Sequence, residues 1–309
     1  MLSGIGGILK TALLFPGQGA QAVGMAAELV ERSPIARECF ELANSVLGFD
    51  LLRLCLEGPQ EELNRTDHAQ PALYVHSMAA LRDLEAQRPG LWDDVVYVAG
   101  LSLGEYTAVA AAGGISFEDG LRLVRARGQA MQAAADRVDS GMASILGLER
   151  PVVEELCQSV SSDEAFVRPA NYLCPGNIAV SGHIAALDAV EGPAQRAGAM
   201  RVVRLPVAGA FHTPLMQPAV AQLQAALQGV AFTPTRVPVV SNVDARPHSD
   251  PDEIRGLLSR QVVEPVLWED GLRWMLSQGV EQSLEIGTGR VLAGLQKRID
   301  RKTPCESYG

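Results

Sequence analysis

Basic residues are scarce in this 309-residue sequence, and lysine is nearly absent. Arginine and lysine together number 26, of which 3 are lysine, against 36 acidic residues, so the formal net charge is −10. A protein that binds nucleic acid needs an excess of cations to displace the counterions of the phosphate backbone. The charge balance therefore argues against a nucleic-acid partner, and an acidic protein partner would need a local basic patch.

Long apolar runs and paired cysteines are absent as well. No stretch approaches the roughly 18 apolar residues of a membrane span, so we expect no membrane-spanning segment. The 5 cysteines are scattered and form no C-x-x-C pair, which argues against a disulfide framework or a zinc site and fits a reducing compartment. Residues 1–10 are glycine-rich and lack the pattern of a signal peptide.

The composition that remains is that of a folded α/β protein. Hydrophobic residues make up 47% of the chain and charged residues 20%, which excludes a disordered chain. Apolar strand-like runs alternate with helical patterns, and this order indicates a mainly parallel sheet. Strands are predicted at Thr11–Phe15, Val95–Gly100, Val237–Val240 and Gln282–Ile286, and helices at Leu103–Ala112 and at Pro71–Ala86, with the proline in the first turn.

The middle of the chain follows a different order, which predicts a small inserted subdomain at 138–206. A β-α-β-α-β pattern runs through this segment, typical of an α+β unit. The larger domain is then formed by 1–137 and 207–309. The predicted elements of the insertion are strands at Met142–Leu148, Asn177–Ser181 and Arg201–Pro206, and helices at Val152–Val160 and Ala185–Ala197.

The pentapeptide Gly100-Leu101-Ser102-Leu103-Gly104 fits G-x-S-x-G at the junction of a predicted strand and helix. This is the context of a nucleophile elbow, in which a tight turn exposes the serine Oγ and leaves no room for Cβ atoms at the flanking glycines. Ser102 is therefore a candidate nucleophile, and the backbone N–H of Leu103 is a candidate oxyanion donor. The alternative is a turn whose serine only caps the helix, with Glu105 closing a capping box.

A serine nucleophile needs a base, and His212 is the best placed of the 5 histidines. It lies between a predicted strand and a helix with Pro214 in its first turn, and a side chain at such a junction can point into a cleft. His183, at a strand end, is a weaker candidate. The remaining histidines are expected to be packed or solvated: His68, His76 and His248.

Arg127 is the third informative residue. It lies on a helix predicted to begin with a capping box of Ser116 and Asp119, on a face that it shares with Val124 and Met131. A guanidinium with apolar neighbours needs an anionic partner, because desolvating an unpaired charge costs several kcal/mol. Its planar fork suits a carboxylate. The alternatives are an internal salt bridge and a side chain that reaches solvent.

Two glycine-rich turns follow predicted strands. In Phe15-Pro16-Gly17-Gln18-Gly19, the glycines would let a backbone N–H approach a ligand, which could supply a second oxyanion donor. A simple tight turn is the alternative. The turn Gly287-Thr288-Gly289 by itself indicates no particular site.

Taken together, these motifs resemble the malonyl-CoA:acyl carrier protein transacylase family over nearly the whole chain, from about Thr11 to Ile299. The phrases NYLCPGN and GAFHT look most like the chloroplast branch of the family. The motifs, in order, are Phe15–Gly19 (FPGQG), Gln70–Leu73 (QPAL), Gly100–Glu105 (GLSLGE), Arg127 at 25 residues after the serine, Asn171–Gly182 (NYLCPGNIAVSG), Gly209–Thr213 (GAFHT), Ser241–Asp244 (SNVD) and Glu285–Gly289 (EIGTG).

The sequence departs from the family pattern at two places. Leu101 stands where the family usually has the histidine of GHSxGE, a change that bears on the tuning of the site rather than on the nucleophile. Many relatives have GPGK where this chain has Gly287-Thr288-Gly289-Arg290, so the positive charge is kept.

The resemblance implies an α/β-hydrolase-like large subdomain with an inserted ferredoxin-like small subdomain, and an active site in the cleft between them. It implies that His212 takes the proton of Ser102 and that the backbone carbonyl of Gln261 orients the histidine. The oxyanion would be bound by the backbone N–H groups of Gln18 and Leu103.

The resemblance also implies substrate contacts. Arg127 would bind the malonyl carboxylate with both arms of its guanidinium, and the bulk of Phe211 would disfavour a 2-methyl branch. Asn171 and Asn177 match positions near the path of the acyl group and the pantetheine.

As partners, the resemblance implies malonyl-CoA and acyl carrier protein, with a ping-pong reaction through a malonyl-serine ester that supplies fatty acid synthesis. It implies no metal and no resident cofactor, a monomer, and a place in the chloroplast stroma, with the bacterial cytoplasm as the alternative. For an acidic carrier protein, we expect docking on the C-terminal basic cluster, which comprises Arg290, Lys297, Arg298, Arg301 and Lys302.

Three other functions compete with this interpretation. A serine hydrolase or thioesterase could use the same elbow and would not need Arg127. An inactive acyltransferase acting as a carrier-protein scaffold would explain Leu101, but both Ser102 and His212 are present. An acyltransferase domain of a polyketide synthase is disfavoured by the length of the chain.

Overall fold

The computed structural model describes residues 9–309 and confirms the predicted α/β class, with two sheets and helices packed against them. The predicted absence of a signal peptide concerns residues 1–10, of which 1–8 lie outside the described residues. In the described part, the strands are β1 Thr11–Phe15, β2 Val95–Gly100, β3 Ser140–Leu146, β4 Val167–Cys174, β5 Asn177–His183, β6 Arg201–Arg204, β7 Val239–Val240, β8 Pro247–His248, β9 Gln282–Ile286 and β10 Cys305–Tyr308.

The helices of residues 9–309 connect and cover these strands. A 3₁₀ helix at Pro214–Met216 adds to them. The α-helices are α1 Ala27–Arg32, α2 Pro34–Leu47, α3 Leu51–Glu57, α4 Gln60–Asn64, α5 Thr66–Gln87, α6 Leu91–Asp94, α7 Leu103–Ala111, α8 Phe117–Ala135, α9 Arg150–Val160, α10 Ile184–Arg196, α11 Gln217–Gln228, α12 Pro251–Gln261, α13 Trp268–Ser277 and α14 Val291–Ile299.

The larger sheet has the strand order β10-β9-β1-β2-β7-β8 and is parallel except for β8 at its edge. Every residue of β1 is buried, as expected for a strand whose sheet is covered on both faces. In the register of β1 with β2, Phe15 lies opposite Gly100. The turns that follow these two strands therefore meet at the carboxyl edge of the sheet, where α/β folds place their ligands.

Two glycines allow these turns to touch. A Cβ atom on Gly104 would overlap the backbone oxygen of Phe15, and one on Gly17 would overlap that of Leu101. The Leu101 N–H donates to the Phe15 carbonyl at 3.0 Å. The glycines of FPGQG and GLSLGE thus pack the two motifs against each other.

The smaller sheet has the order β4-β5-β3-β6 and is antiparallel throughout. Its elements follow β-α-β-β-α-β, so the predicted β-α-β-α-β order was wrong by one strand, β4. That strand escaped prediction because its register with β5 shifts after Pro169 and again after Tyr172, and proline cannot donate to a ladder. All four strands lie within 138–206, while the subdomain boundaries themselves stay a prediction.

The proline of QPAL lies deeper in its helix than predicted. Pro71 is the sixth residue of α5 rather than a first-turn residue, because the helix begins at Thr66. Proline removes one backbone hydrogen bond from a helix interior, but α5 is buried along most of its length, and this packing outweighs the loss. Within residues 9–309, no helix is both long enough and apolar enough to cross a membrane.

Candidate active site

Ser102 lies in the turn between β2 and α7 with a strained backbone. Its φ is +51° and its ψ is −101°, a conformation that non-glycine residues adopt mainly where function requires it. The side chain makes no capping hydrogen bond to α7. Instead, its Oγ lies 2.8 Å from Nε2 of His212. The capping alternative is therefore not what the structure shows.

His212 follows the small sheet and precedes the 3₁₀ helix, and its backbone is also in the left-handed region, with φ +61°. Its Nδ1 lies 2.8 Å from the backbone oxygen of Gln261. A carbonyl can only accept, so Nδ1 carries the hydrogen and Nε2 is the free acceptor that faces Ser102.

The protonation state of His212 suits a base. Burial, and then the positive charge of Arg127, lower the pKa of His212 to about 4. The ring is therefore neutral at pH 7 and can accept the proton of Ser102 Oγ. The geometry and the tautomer together match a serine–histidine pair whose third member is a backbone carbonyl rather than a carboxylate.

Arg127 lies on α8 and is only 1% exposed, so its side chain does not reach solvent. Its Nη2 donates to Ser102 Oγ at 3.0 Å and to Oε1 of Gln261 at 2.9 Å. Among residues 9–309, no carboxylate forms an ion pair with it, and its Nε has no hydrogen-bond partner. A buried guanidinium with neutral acceptors can take up a ligand carboxylate beside the serine.

A cavity of about 130 Å³ brings most of the predicted substrate residues together. Two of its polar atoms, Nε2 of Gln18 and Oδ1 of Asn171, are buried without a partner in the described part of the chain, so a ligand could bond to both. The remaining walls are mainly apolar. The cavity is lined by Gly17, Gln18, Leu101, Ser102, Arg127, Met131, Met142, Asn171, Leu173, Ala179, Leu205, Val207, Phe211 and His212.

Two of the predicted substrate residues, Asn177 and Leu103, do not line this cavity. Asn177 begins β5, and its Oδ1 accepts a hydrogen bond from Ser144 Oγ at 2.7 Å within the small sheet. Leu103 has a buried side chain at the start of α7, where a backbone N–H has no acceptor inside the helix. Its predicted role concerns that N–H alone and stays a prediction.

The sequence did not predict the buried network behind Ser102. Glu105 accepts hydrogen bonds from Nε2 of Gln261 at 2.6 Å and from the backbone N–H of Asn242 at 3.1 Å. Asn242 accepts from the Ser102 N–H at 2.7 Å and donates to the Gly100 carbonyl at 2.8 Å. Both residues belong to motifs quoted above, GLSLGE and SNVD, but a motif gives no side-chain partners.

The C-terminal basic cluster divides in the structure. Arg290, Lys297 and Arg301 line a surface cavity of about 420 Å³ beside α14. Arg298 instead donates to the carbonyl of Pro175 at 2.9 Å, which ties α14 to the turn between β4 and β5. Three of the five cations therefore share one concave surface.

Comparison with known proteins places the chain in a family. The profile of the acyl transferase domain matches residues 12–305. The malonyl CoA-acyl carrier protein transacylase of Staphylococcus aureus is 39% identical over 298 residues, which cover 96% of this chain and 95% of the relative.

Solved structures agree in fold. The acyl-carrier-protein S-malonyltransferase of Bartonella henselae is 40% identical with a TM-score of 0.93, covering 97% of this chain and 96% of that one. A malonyl-transacylase solved in complex with its type II polyketide acyl carrier protein is 38% identical with a TM-score of 0.92, covering 96% and 95%.

Proposed function

Because this chain belongs to the acyl transferase family, we propose that it transfers malonyl groups from malonyl-CoA to the phosphopantetheine thiol of acyl carrier protein, supplying fatty acid synthesis. The observation that carries this proposal is Arg127, a buried guanidinium 3.0 Å from Ser102 Oγ, whose hydrogen bonds within residues 9–309 go to a hydroxyl and an amide oxygen. A malonyl group esterified to that oxygen has a free carboxylate, which suits the guanidinium. A relative and two solved structures with malonyl-transferring names support the same substrate.

The first half-reaction acylates the serine. Nε2 of His212 takes the proton of Ser102 Oγ as the oxygen attacks the thioester carbonyl. Backbone N–H groups of Gln18 and Leu103 stabilise the oxyanion, an effect of about 3 kcal/mol per donor. When the carbon–sulfur bond breaks, CoA leaves as a thiol with the proton that His212 had accepted.

The second half-reaction reverses the first with a new thiol. His212 takes the proton of the phosphopantetheine thiol, whose sulfur attacks the malonyl-serine ester. The ester bond breaks, Ser102 Oγ regains its proton from His212, and malonyl carrier protein leaves. The serine ester separates the two halves, so the kinetics are ping-pong. Asn171 and Asn177 are proposed to lie along the path of the pantetheine.

Selectivity for malonyl over acetyl groups follows from Arg127. Acetyl-CoA would leave the guanidinium buried without a counter-charge, and sites built to bind a polar group strongly reject analogues that lack it. Phe211 lines the cavity, where its ring leaves little space for a 2-methyl branch.

For docking of the acidic carrier protein, we propose the C-terminal basic cluster, with the concave surface of Arg290, Lys297 and Arg301 at its centre. Charge reversal at Lys297 and Arg298 should raise the KM for carrier protein and spare the KM for malonyl-CoA. Because Arg298 bonds the Pro175 carbonyl, its reversal could also disturb the fold. Reversal at Arg301, for which residues 9–309 provide no side-chain hydrogen bond, separates docking from structural loss. Equal effects on both substrates would reject this surface.

We also propose that the reaction needs no metal and no resident cofactor, since the base, the nucleophile and the oxyanion donors are all groups of the chain. Activity should then survive chelation with EDTA. The relatives from Staphylococcus aureus and Bartonella henselae are bacterial proteins, which supports the bacterial cytoplasm rather than the chloroplast stroma. A monomer stays the expectation for the oligomeric state.

The proposal is tested by intact-protein mass after brief exposure to malonyl-CoA, followed by holo carrier protein. We expect a malonyl adduct that is absent in Ser102→Ala and is discharged onto carrier protein. Rapid release of free malonate without an adduct would indicate the hydrolase or thioesterase alternative. Neither adduct nor turnover would indicate an inactive scaffold.

A further inference from the structure

Glu105 is a buried carboxyl group that the reaction described above does not use. It lies in the first turn of α7, three residues after Ser102, and is 2% exposed. Burial raises the pKa of Glu105 to about 7. A group that is costly to bury needs a reason to be there, and its contacts supply one.

The contacts of Glu105 converge on the reacting groups through two amide residues. Gln261 uses every polar atom of its side chain and its backbone oxygen here: Oε1 accepts from Arg127 at 2.9 Å, and Nε2 donates to Glu105 at 2.6 Å and to the Ser102 carbonyl at 3.0 Å. Its backbone oxygen is the partner of Nδ1 of His212 at 2.8 Å.

The second amide residue, Asn242, fixes the strained turn. Its backbone N–H donates to Glu105, while its side chain bonds the Ser102 N–H and the Gly100 carbonyl. Asn242 therefore bonds the turn at the Ser102 N–H and the Gly100 carbonyl, and Gln261 bonds it at the Ser102 carbonyl. Glu105 is the acceptor that both have in common.

Glu105 also decides which way the Gln261 amide points. With a carboxyl oxygen on one side and a guanidinium on the other, the amide must turn its NH₂ toward Glu105 and its oxygen toward Arg127. In the flipped orientation, two donors would face each other at Arg127 and two acceptors at Glu105. The carboxyl group and Arg127 thus select a single orientation.

We propose that Glu105 is a positioning residue, which through Gln261 and Asn242 holds the nucleophile turn and the arginine in the arrangement that malonyl transfer requires. This inference rests on the proposed malonyl transfer. Glu105 acts by the location of its acceptor oxygen, so the length of the side chain matters more than its charge.

Two conservative substitutions separate location from charge. Glu105→Asp keeps the charge but draws the oxygens back by one methylene. Glu105→Gln keeps the length and leaves a carbonyl oxygen that can accept from both amide residues. Glu285→Asp is the matched control, since Glu285 is fully buried and accepts the backbone N–H groups of Leu292 and Ala293.

The measurement is the rate and final extent of malonyl adduct formation on Ser102, followed by rapid quenching and intact mass, with malonyl-CoA and then acetyl-CoA. We expect Glu105→Asp to lower the malonyl rate about 10- to 100-fold at an unchanged final extent, and to lower the malonyl-to-acetyl rate ratio because Arg127 loses its fixed amide. Glu105→Gln and Glu285→Asp should keep most of the wild-type rate.

A wild-type rate in Glu105→Asp would overturn the inference, as would a Glu105→Gln variant as slow as Glu105→Asp. A purely structural role of Glu105 would give a different result. Glu105→Asp would then lower the final extent of adduct formation but leave the adduct rate and the malonyl-to-acetyl rate ratio unchanged, and this result would contradict the inference. If the wild-type protein itself forms no adduct, the proposed function fails and the inference falls with it.

Discussion

Two buried charged side chains of this protein are held in opposite ways. Glu285 is fully buried, and its oxygens accept the backbone N–H groups of Leu292 at 3.0 Å and Ala293 at 2.9 Å. Arg127 is almost as buried, but in the described chain its hydrogen bonds go to a hydroxyl and an amide oxygen. Both oxygens of Glu285 are therefore bonded, whereas Nε of Arg127 has no hydrogen-bond partner within residues 9–309. The fold satisfies the carboxylate and leaves the guanidinium able to bind the carboxylate of a ligand.

The largest effect should come from removing Arg127, the buried group that can still bind a ligand carboxylate. Arg127→Ala should lower the rate of malonyl adduct formation by at least about 100-fold, because a desolvated charge pair with the substrate is lost. The acetyl rate should not fall, so the malonyl-to-acetyl ratio should collapse. Adduct formation with both thioesters measures this, with Arg122→Ala, an exposed arginine of the same helix, as the control. A proportional loss for both thioesters would contradict the comparison.

Removing the hydrogen-bonded carboxylate of Glu285 should have the opposite outcome. Glu285→Ala leaves two backbone N–H groups of α14 without an acceptor, which should lower the free energy of unfolding by about 2 kcal/mol. The malonyl adduct rate per folded molecule should stay at the wild-type value. Chemical denaturation and adduct kinetics on the same samples test this. If Glu285→Ala kept the wild-type free energy of unfolding but formed the malonyl adduct slowly, the proposed difference between Glu285 and Arg127 would be wrong.

The pH dependence of the rate should also differ from that of an exposed site, because His212 shares the desolvated environment of Arg127. With the pKa of His212 lowered to about 4, the neutral base persists well below pH 6.5. The adduct rate at pH 5.5 should thus be within about twofold of that at pH 7.5, whereas an unperturbed histidine would give a loss of about tenfold. The same shift makes folding less favourable as pH falls from about 6.5 to about 4, since only the unfolded chain binds the proton there.

The control for this profile is brief exposure to each pH followed by return to pH 7.5, which separates protonation from unfolding. A midpoint near 6.5 in the adduct rate, with full recovery on return, would show that His212 is not desolvated as the structure indicates.

The smallest effect concerns shape rather than charge. Phe211→Ala should raise the methylmalonyl-to-malonyl rate ratio about tenfold, because one methyl group in an apolar cavity is worth about 1–3 kcal/mol. Leu205→Ala, on another wall of the same cavity, is the control. An unchanged ratio in Phe211→Ala would show that its ring does not limit the acyl group.

The sequence predicted best what depends on local pattern. The nucleophile turn, the capped helix that bears Arg127 and the buried strand Thr11–Phe15 all follow from short-range signals, and the structure has them. The strand Val167–Cys174 was missed because its proline and its register shifts break the alternation.

What the sequence could not predict depends on long-range contacts. Asn242 and Gln261 reach Ser102 from positions 140 and 159 residues away, and neither side chain has a local signal of that role. Likewise, Asn177 belongs to a matched motif, yet its side chain bonds Ser144 instead of lining the cavity. Only the fold decides such contacts.

The most direct test of the role of Arg127 is the structure of the Ser102→Ala variant with malonyl-CoA bound. We expect the malonyl carboxylate to lie about 3 Å from the Arg127 guanidinium and to bond two of its nitrogens, with the thioester carbonyl near the backbone N–H groups of Gln18 and Leu103. A carboxylate bound elsewhere, with Arg127 still bonded only to neutral protein groups, would contradict the claim that this buried charge awaits the substrate.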